Sequence, residues 1–348
     1  MSEIACKYCN SDDIVKDGIN TGEQYYLCRS CKRRFNLKDA LIHMKTPASA
    51  VSAAVSMFYK GMSVNDIKQE LKQIYGLDVS DFAVYNWVER FTKDAVNITN
   101  QYRPEVGYVW LADETVINVA GKQYWLLDVI DVKTRFLIAS FLSPTRRVED
   151  VQEVMKEAYA RTGRIPKVIM TDHLEAYIYG IRHTFGDKAK HLQVKKITAK
   201  PNNNIIERMQ GTIKERTKVM RDLKSSESAQ LLLDGFLVNY NYFRPHETIG
   251  TTPANKAQIQ FPYKDWEVLI RCTPEMAKLT LSRASFDIPP LPYVRMTDRE
   301  RKQTDSRLHK RRLLTERRTG IKHVPKSKGG GRRPQPIIQE IKSLRFYK

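Results

Sequence analysis

Three acidic residues, Asp113, Asp172 and Glu207, have the types and the placement that a two-metal phosphoryl-transfer site requires. Asp113 follows the apolar run 108–112, and Asp172 follows the run 168–171. Both runs are typical of short buried strands, so each Asp is predicted at the carboxyl end of a strand, where open α/β sheets bind their ligands. Glu207 follows Asp172 with 34 residues between them and begins a predicted helix.

The alternative for each of these residues is a structural role, because Asp is also common at strand ends for its fit to turns and caps. For three nearby carboxylates, Asp128, Asp131 and Glu175, solvated or capping roles are predicted. The order and spacing of Asp113, Asp172 and Glu207 favour catalysis for those three.

The residues around the three carboxylates strengthen this interpretation. The strings are Asp113-Glu114-Thr115, Thr171-Asp172-His173-Leu174-Glu175-Ala176-Tyr177 and Asn203-Asn204-Ile205-Ile206-Glu207. They resemble the three catalytic blocks of DDE-type insertion-sequence transposases, and their spacing looks most like that of the small cointegrate-forming family of bacterial and archaeal elements. The resemblance covers roughly residues 108–257.

The resemblance implies a site that holds two Mg²⁺ (or Mn²⁺) ions, with Asp113 as the bridging ligand and Asp172 and Glu207 on the flanks. It also implies that Lys214 contacts the terminal DNA of the element. Lys218 and Arg221 share the polar helix face of Glu207, Gln210 and Lys214, and are DNA-binding candidates or solvated residues. Many relatives carry a histidine where this chain has Gln210.

Four of the five cysteines form two Cys-x2-Cys pairs, Cys6/Cys9 and Cys28/Cys31. In a reducing compartment this spacing predicts one structural, tetrahedral Zn²⁺, whereas two disulfides are the alternative. Residues 1–38 therefore resemble a zinc ribbon.

Residues 47–95 are predicted to form three helices, with stops at Gly61 and Gly76 and N-caps at Ser63 and Ser80. The order is typical of a helix-turn-helix DNA-binding domain, and a three-helix dimerisation bundle is the alternative. On the third helix, Tyr85, Asn86 and Arg90 are predicted to face outward and to contact DNA.

From residue 105 the pattern changes to three strands, a helix, a strand, a helix, a strand and further helices. This is the order of a ribonuclease-H-like α/β domain, a five-stranded mixed sheet with flanking helices, predicted over residues 105–262. The strands before Asp113 and Asp172 would be parallel neighbours. The later string 241–254 resembles a segment of many DDE recombinases, and His246 within it is predicted to have a structural or DNA-backbone role.

The charge of the chain predicts its partners. Lys and Arg number 59 against 39 Asp and Glu, a net charge of +20, which favours a polyanion such as double-stranded DNA. No apolar run reaches membrane-spanning length, and we expect no membrane partner and a cytoplasmic, nucleoid-associated location in a prokaryotic cell. Residues 263–294 form a C-terminal extension, and residues 295–348 a basic tail that is predicted to be flexible.

These observations predict a metal-dependent transposase that acts as a homodimer or higher homo-oligomer on the terminal inverted repeats of an insertion sequence and on target DNA. The alternative is a transposase-derived DNA-binding regulator without catalytic activity, for which residues 1–95 suffice. The three carboxylates separate the two hypotheses, because a regulator has no need of them.

Overall fold

The computed structural model describes residues 4–6, 9, 11–20, 22–37, 44–193, 204–219, 223, 225–279 and 291. The chain divides into two units, residues 1–294 and residues 295–348. The predicted basic tail coincides with the second unit and lies outside the described residues.

The N-terminal segment forms a three-stranded antiparallel sheet in the order β1-β2-β3. Its strands are β1 (Ile14–Asn20), β2 (Glu23–Cys28) and β3 (Arg34–Asn36). The sheet has a small core of its own in which Cys6 and Cys28 are buried beside the rings of Tyr26 and Phe35, whose centroids lie 5.7 Å apart. So small a core cannot by itself stabilise a fold, which is why the four cysteines matter here.

Three helices follow, as the sequence predicts: α1 (Ala48–Lys60), α2 (Val64–Tyr75) and α3 (Asp81–Thr99). Gly61 and Gly76 end the first two in the left-handed conformation, with φ of 103° and 64°. The Ser63 hydroxyl accepts from the Asp66 N–H, and that of Ser80 from the Ala83 N–H. The predicted stops and caps are confirmed.

The helical region shares a hydrophobic core with the sheet that follows it. The Tyr59 ring stacks on Trp266 at 5.1 Å, and its hydroxyl is 2.5 Å from Thr92 Oγ1. On α2, Ile67 and Leu71 are buried in this core, whereas Ile74 in the last turn is 63% exposed.

The second sheet has five strands in the order β6-β5-β4-β7-β8. They are β4 (Val109–Val119), β5 (Lys122–Asp131), β6 (Leu137–Ser143), β7 (Val168–Thr171) and β8 (Lys190–Gln193). β4 pairs with β5, and β5 with β6, in antiparallel fashion, whereas β4–β7 and β7–β8 are parallel. The mixed five-stranded sheet and the parallel pairing of the two central strands are confirmed.

The predicted end of the first strand is wrong. β4 does not end at Asp113 but continues to Val119, and its second half pairs with β5 and not with β7. The reason lies in the sequence pattern: the strand changes from a continuous apolar run, typical of two covered faces, to alternating burial after Asp113. Asp113 nevertheless lies close to the end of the parallel pairing with β7, whose last pair is Leu111 and Met170.

Six helices complete the described fold: α4 (Val148–Thr162), α5 (Glu175–Phe185), α6 (Asn204–Val219), α7 (Ser226–Val238), α8 (Pro253–Lys256) and α9 (Trp266–Leu279). α4 packs on β5, β6 and α5, α6 packs on β4, and α7 packs on β6 and α3. Among the described helices, none has the length and apolarity needed to cross a lipid bilayer.

Candidate active site

Asp113 and Asp172 come together at the edge of the parallel pairing, and Glu114 joins them. One carboxylate oxygen from each of the three lies within 4.8 Å of the others, and each of the three residues as a whole is partly buried. The approach of Asp113 and Asp172, separated by 58 residues in the sequence, follows from the pairing of β4 with β7. Asp172 directly follows β7, and its Oδ1 accepts a 2.9 Å hydrogen bond from the Leu174 N–H ahead of α5.

Glu207 lies on the first turn of α6, with its side chain exposed. It is not a member of the 4.8 Å cluster of Asp113, Glu114 and Asp172. Its charge nevertheless contributes to raising the pKa of Asp113, so Glu207 lies near enough to interact with Asp113 electrostatically. The structure thus brings Asp113 and Asp172 into contact range and places Glu207 at the rim.

Electrostatic repulsion dominates the site. Burial and the charge of Glu114, followed by those of Asp172 and Glu207, raise the pKa of Asp113 to about 7. Burial and the charge of Asp172 also raise the pKa of Glu114. Carboxylates that crowd one another in this way are stabilised by a cation, so the cluster has the electrostatic character of a metal site.

Glu114 was not among the catalytic residues predicted from the sequence. Its Oε1 accepts a 2.9 Å hydrogen bond from Arg146 Nη1, in an ion pair in which Glu114 is 5% and Arg146 45% exposed. The Arg146 guanidinium also lies 4.0 Å from the centroid of the Trp125 ring. The pair places one fixed positive charge beside the cluster, and the second oxygen of Glu114 is buried with no hydrogen-bond partner among the described residues.

The solvated or capping role predicted for Asp128 is wrong. Asp128 is fully buried on β5, directly opposite Asp113 on β4, so both side chains lie on the same face of the sheet. Burial is the main cause that raises its pKa, to about 8, and the charge of Asp113 adds to it. Its Oδ1 accepts a short hydrogen bond from the Ser140 hydroxyl on β6. A charged residue inside the apolar run 125–130 was the sequence signal for this position.

Gln210 is the second buried polar residue of this layer, although the sequence pattern places it on the polar face of α6. It is 5% exposed, and its amide lies near enough to Asp128 to lower the pKa of that carboxyl. Neither Gln210 Nε2 nor Asp128 Oδ2 has a partner in good hydrogen-bond geometry among the described residues. Asp128 on β5 and Gln210 on α6 therefore lie close to each other. Gln210 follows Glu207 by three residues on the same helix.

Tyr177 on α5 is a buried residue near the carboxylates. Its hydroxyl is buried and meets no partner in hydrogen-bond geometry within the described part of the chain. Burial, followed by the charges of Glu114, Asp113, Asp172 and Asp128, raises its pKa well above 10, so it stays protonated. The Tyr of the string 171–177 is therefore a neutral hydroxyl group that faces four carboxyl groups.

The other two carboxylates set apart as structural agree with that interpretation. Asp131 is buried and its Oδ2 accepts hydrogen bonds from the Thr134 N–H at 2.8 Å and the Thr134 hydroxyl at 2.6 Å, which is a turn-capping role. Glu175 is exposed at the start of α5.

The DNA-binding candidates lie on two surfaces. Lys214 and Lys218 are exposed on α6, and Arg221 lies outside the described residues. On α3, Asn86 and Arg90 are exposed and Tyr85 is half-buried. None of these positions identifies DNA by itself, and their roles stay predictions.

The four cysteines predicted to bind zinc come together. Their sulfur atoms lie within 4.8 Å of one another, and none of the four is part of a disulfide. A backbone hydrogen bond at Cys31 and the neighbouring thiols lower the pKa of Cys28 to about 6, despite the opposing effect of burial. Four thiol groups that converge between two turns fit a tetrahedral Zn²⁺. The oxygen ligands of Asp113, Glu114 and Asp172 fit a hard cation such as Mg²⁺ instead.

Comparison with known proteins gives one family match. Residues 107–246 match the family model DDE_Tnp_IS240, a DDE domain. No curated protein sequence matches the chain. The matched range contains β4, β7 and the first turn of α6, and therefore Asp113, Asp172 and Glu207.

Several solved structures are similar in fold. The catalytic core domain of HTLV-2 integrase in complex with magnesium (trimeric form) has 17% identity and a TM-score of 0.36, covering 44% of this chain and 99% of that chain. The simian T-cell lymphotropic virus intasome with the PP2A regulatory subunit B56 gamma has 14% identity and a TM-score of 0.35, covering 71% and 79%. The BIV integrase catalytic core has 15% identity and a TM-score of 0.35, covering 44% and 94%.

The family match covers the candidate site. The matched range holds the two parallel strands, the helix and the carboxylates that the string resemblance implied. The sheet order and the crossover between its central strands are those of a ribonuclease-H-like domain. Residues 107–246 of this chain are therefore similar to a DDE domain, and they contain the whole of the candidate site.

Proposed function

We propose that this protein binds the terminal inverted repeats of an insertion sequence, cleaves the DNA at each end and joins the freed 3′-hydroxyls to target DNA. The observation that supports this most directly is the convergence of Asp113 and Asp172 within a DDE domain, with Glu207 at the rim. Three carboxylates of this kind, contributed by two strands and a helix, suit phosphodiester chemistry better than any other chemistry that the site offers.

The roles that we propose follow from position. Asp113, which lies among the other carboxylates, would be the ligand shared by the cations, and Asp172 and Glu207 would each hold one cation. Two Mg²⁺ or Mn²⁺ ions, when bound, stabilise charge on the attacking and leaving oxygens of an in-line displacement. Asp113 must lose its proton before it binds a cation, and its pKa of about 7 places that step near neutral pH. The ion pair of Glu114 and Arg146 lies beside the cation ligands, and the buried Tyr177 lies near them.

End recognition is assigned to the N-terminal modules and to α6. The α2–α3 pair is proposed to act as a helix-turn-helix with Tyr85, Asn86 and Arg90 toward DNA, beside a zinc ribbon that holds one Zn²⁺. Lys214, Lys218 and Arg221 are proposed to contact the terminal DNA next to the carboxylates. Two ends must be held together for joining, so the active form is proposed to be a homodimer or a larger assembly on nucleoid DNA.

The test replaces each carboxylate by its amide at almost constant volume: Asp113→Asn, Asp172→Asn and Glu207→Gln. Each change should lower the joining of labelled oligonucleotides, which carry the ends of the parent element, by about a thousandfold or more in Mg²⁺ or Mn²⁺. Residues that act as one unit are strongly non-additive, so the triple variant should lose little more than each single variant. DNA affinity and thermal stability should remain close to those of the wild type.

Glu175→Gln is the matched control, because it removes an exposed carboxylate at the start of α5. It should keep most of the joining activity. Joining by the Glu207→Gln protein at the wild-type rate would contradict the proposed role of that residue. A wild-type protein that binds element ends yet never cuts or joins them would instead support the alternative, a DNA-binding regulator.

A further inference from the structure

A second, positively charged site lies on another face of α6. It is an open cleft with a volume of about 540 Å³, formed by the β5–β6 turn, α6 and the chain segment 240–248. Its charged and aromatic lining residues are Arg135, Arg208, Tyr240, Arg244, His246 and Glu247. We call this feature the arginine cleft.

The walls of the arginine cleft are held by specific contacts. The fully buried Asn241 side chain accepts a 2.9 Å hydrogen bond from the Leu137 N–H and donates a 2.8 Å hydrogen bond to the Leu137 carbonyl, which ties segment 240–248 to β6. The His246 ring packs edge-on against Tyr240, with centroids 4.4 Å apart. The cleft is therefore formed by the fold and does not depend on a chance arrangement of surface side chains.

Arg135 is positioned by its turn. It follows the turn that Asp131 caps, has a φ of 62° in the left-handed region, and donates its N–H to the Asp131 carbonyl at 3.0 Å. A left-handed conformation is uncommon for a residue other than Gly, Asn or Asp and marks a position worth a functional explanation. The Nη1 of Arg135 is buried with no hydrogen-bond partner among the described residues.

The charges of the arginine cleft are not balanced. Within the described part of the chain, no carboxylate forms an ion pair with Arg135, Arg208 or Arg244. Burial lowers the pKa of Arg135, Tyr240 and Asp131 act in the opposite direction, and the charge of Arg208 adds to the lowering. Burial also lowers the pKa of His246, with Arg244 and Arg135 adding to the effect. Glu247 is the one acidic residue of the lining, so the lining carries a net positive charge. Its cationic side chains repel one another, and a bound anion would relieve that repulsion.

The spacing on α6 relates the arginine cleft to the carboxylate site. Glu207 and Arg208 are consecutive residues, and consecutive residues project about 100° apart around a helix. A duplex whose scissile phosphate lies at the carboxylates would thus run past the cleft with its backbone. Guanidinium groups suit phosphate oxygens because their planar fork can donate two parallel hydrogen bonds.

We propose that the arginine cleft binds backbone phosphates of duplex DNA beside the carboxylate site, through Arg208 and Arg244 at its exposed mouth and Arg135 at its floor. This inference rests on the proposed function, since it takes DNA as the substrate. It adds a phosphate-binding surface that is separate from the Lys214 face of α6.

The test is a binding experiment that does not depend on catalysis. Affinity of the full-length protein for a fluorescently labelled blunt duplex is measured by anisotropy over a series of salt concentrations. Each phosphate contact contributes about 0.9 to the slope of log affinity against log salt. The double variant Arg208→Gln/Arg244→Gln should therefore lower that slope by about 2 and weaken binding about tenfold at low salt. Arg208→Lys/Arg244→Lys keeps both charges and should retain most of the slope.

Lys188→Gln/Lys190→Gln is the charge-matched control. Both lysines are exposed at the amino end of β8, the opposite end of the parallel strands from Asp172, and their loss should leave the slope near the wild-type value. A slope for the double arginine variant equal to that of this control would overturn the inference. The proposed function fails separately, if the wild type does not join DNA or if Asp113→Asn leaves joining unchanged.

Discussion

Two clusters of metal-ligating side chains lie in the described chain, and they are built in opposite ways. The four thiols come from residues 6–31, within one small three-stranded sheet. The carboxylates come from β4, from the residue after β7 and from α6, which are brought together by the pairing of a five-stranded sheet. In the thiol site the metal is expected to hold the fold, whereas in the carboxylate site the fold holds the ligands.

Burial of the two sites differs accordingly. The N-terminal core consists of Cys6, Tyr26, Cys28 and Phe35, so two of its four buried apolar residues are the ligands themselves. The carboxylates lie over a large continuous core that includes fully buried side chains such as Trp110 and Tyr177. Loss of one ligand should therefore unfold the first site and leave the second folded but inactive.

The largest effect is expected from Cys28→Ser. Zinc binding by peptides of this size supplies on the order of 10 kcal/mol or more of folding free energy, so loss of one thiolate should remove the metal and unfold β1–β3. Elemental analysis should find close to one zinc per wild-type chain and much less in the variant. Amide hydrogen exchange should show loss of protection confined to the first 37 residues.

Cys272→Ser provides the control, because Cys272 lies on α9 and is not one of the four clustered cysteines. It should keep the zinc and the protection of β1–β3. Absence of zinc from wild-type protein that was purified without chelator would contradict the structural-zinc hypothesis and remove the contrast between the two sites.

Local signals made much of this structure predictable. Gly61, Gly76, Ser63 and Ser80 mark helix ends because caps depend on residues within one turn. The Cys-x2-Cys pairs predict the thiol site for the same reason, since the spacing within each pair is local. Asp113 and Asp172 were found because each follows an apolar run, even though β4 continues past Asp113.

Long-range contacts were not predictable in the same way. In the sequence, Asp128 is one charged residue within an apolar strand. Its role depends on its position opposite Asp113 in the β4–β5 pairing and opposite Ser140 in the β5–β6 pairing. Gln210 has the right helical phase for an exposed face, and its burial comes from where α6 packs on β4. A single sequence contains no measure of either distance.

The Asp128→Asn variant sharpens the comparison by changing the support of the carboxylate site and not its ligands. In experiments above pH 8, where Asp128 is ionised, its Oδ2 can accept from Gln210 Nε2, whereas the new amide would place an N–H₂ group there, a donor against a donor; Oδ1 could still accept from Ser140 in both proteins. An unsatisfied buried group costs about 1–3 kcal/mol, and α6 would shift relative to Asp113. We expect chemical denaturation to show this loss of unfolding free energy. We also expect the joining rate to be about tenfold lower.

Glu175→Gln is again the matched control, with an expected change in unfolding free energy within about 0.5 kcal/mol because the residue is exposed. Equal stability and equal joining rates for the two variants would mean that Asp128 is an inert buried acid. A separate outcome, loss of stability with an unchanged joining rate, would restrict Asp128 to a purely structural role.

The smallest expected effect is a pH dependence that the thiol site should not share. Asp113 has a folded-state pKa of about 7, above its ordinary value of 3.8, so near neutrality the folded metal-free protein binds more protons than the unfolded chain. Its stability must then fall as pH rises, by about 1.4 kcal/mol from this residue between pH 6 and pH 8. The raised pKa of Asp128 acts in the same direction.

Mg²⁺ competes with these protons, and it should raise the melting temperature of the five-stranded unit more at pH 8 than at pH 6. Asp113→Asn should remove both the fall in stability and most of the Mg²⁺ effect, whereas Cys28→Ser should leave both in place. Melting curves that rise in stability from pH 6 to pH 8 without metal would show that the carboxylates do not repel one another as the structure indicates.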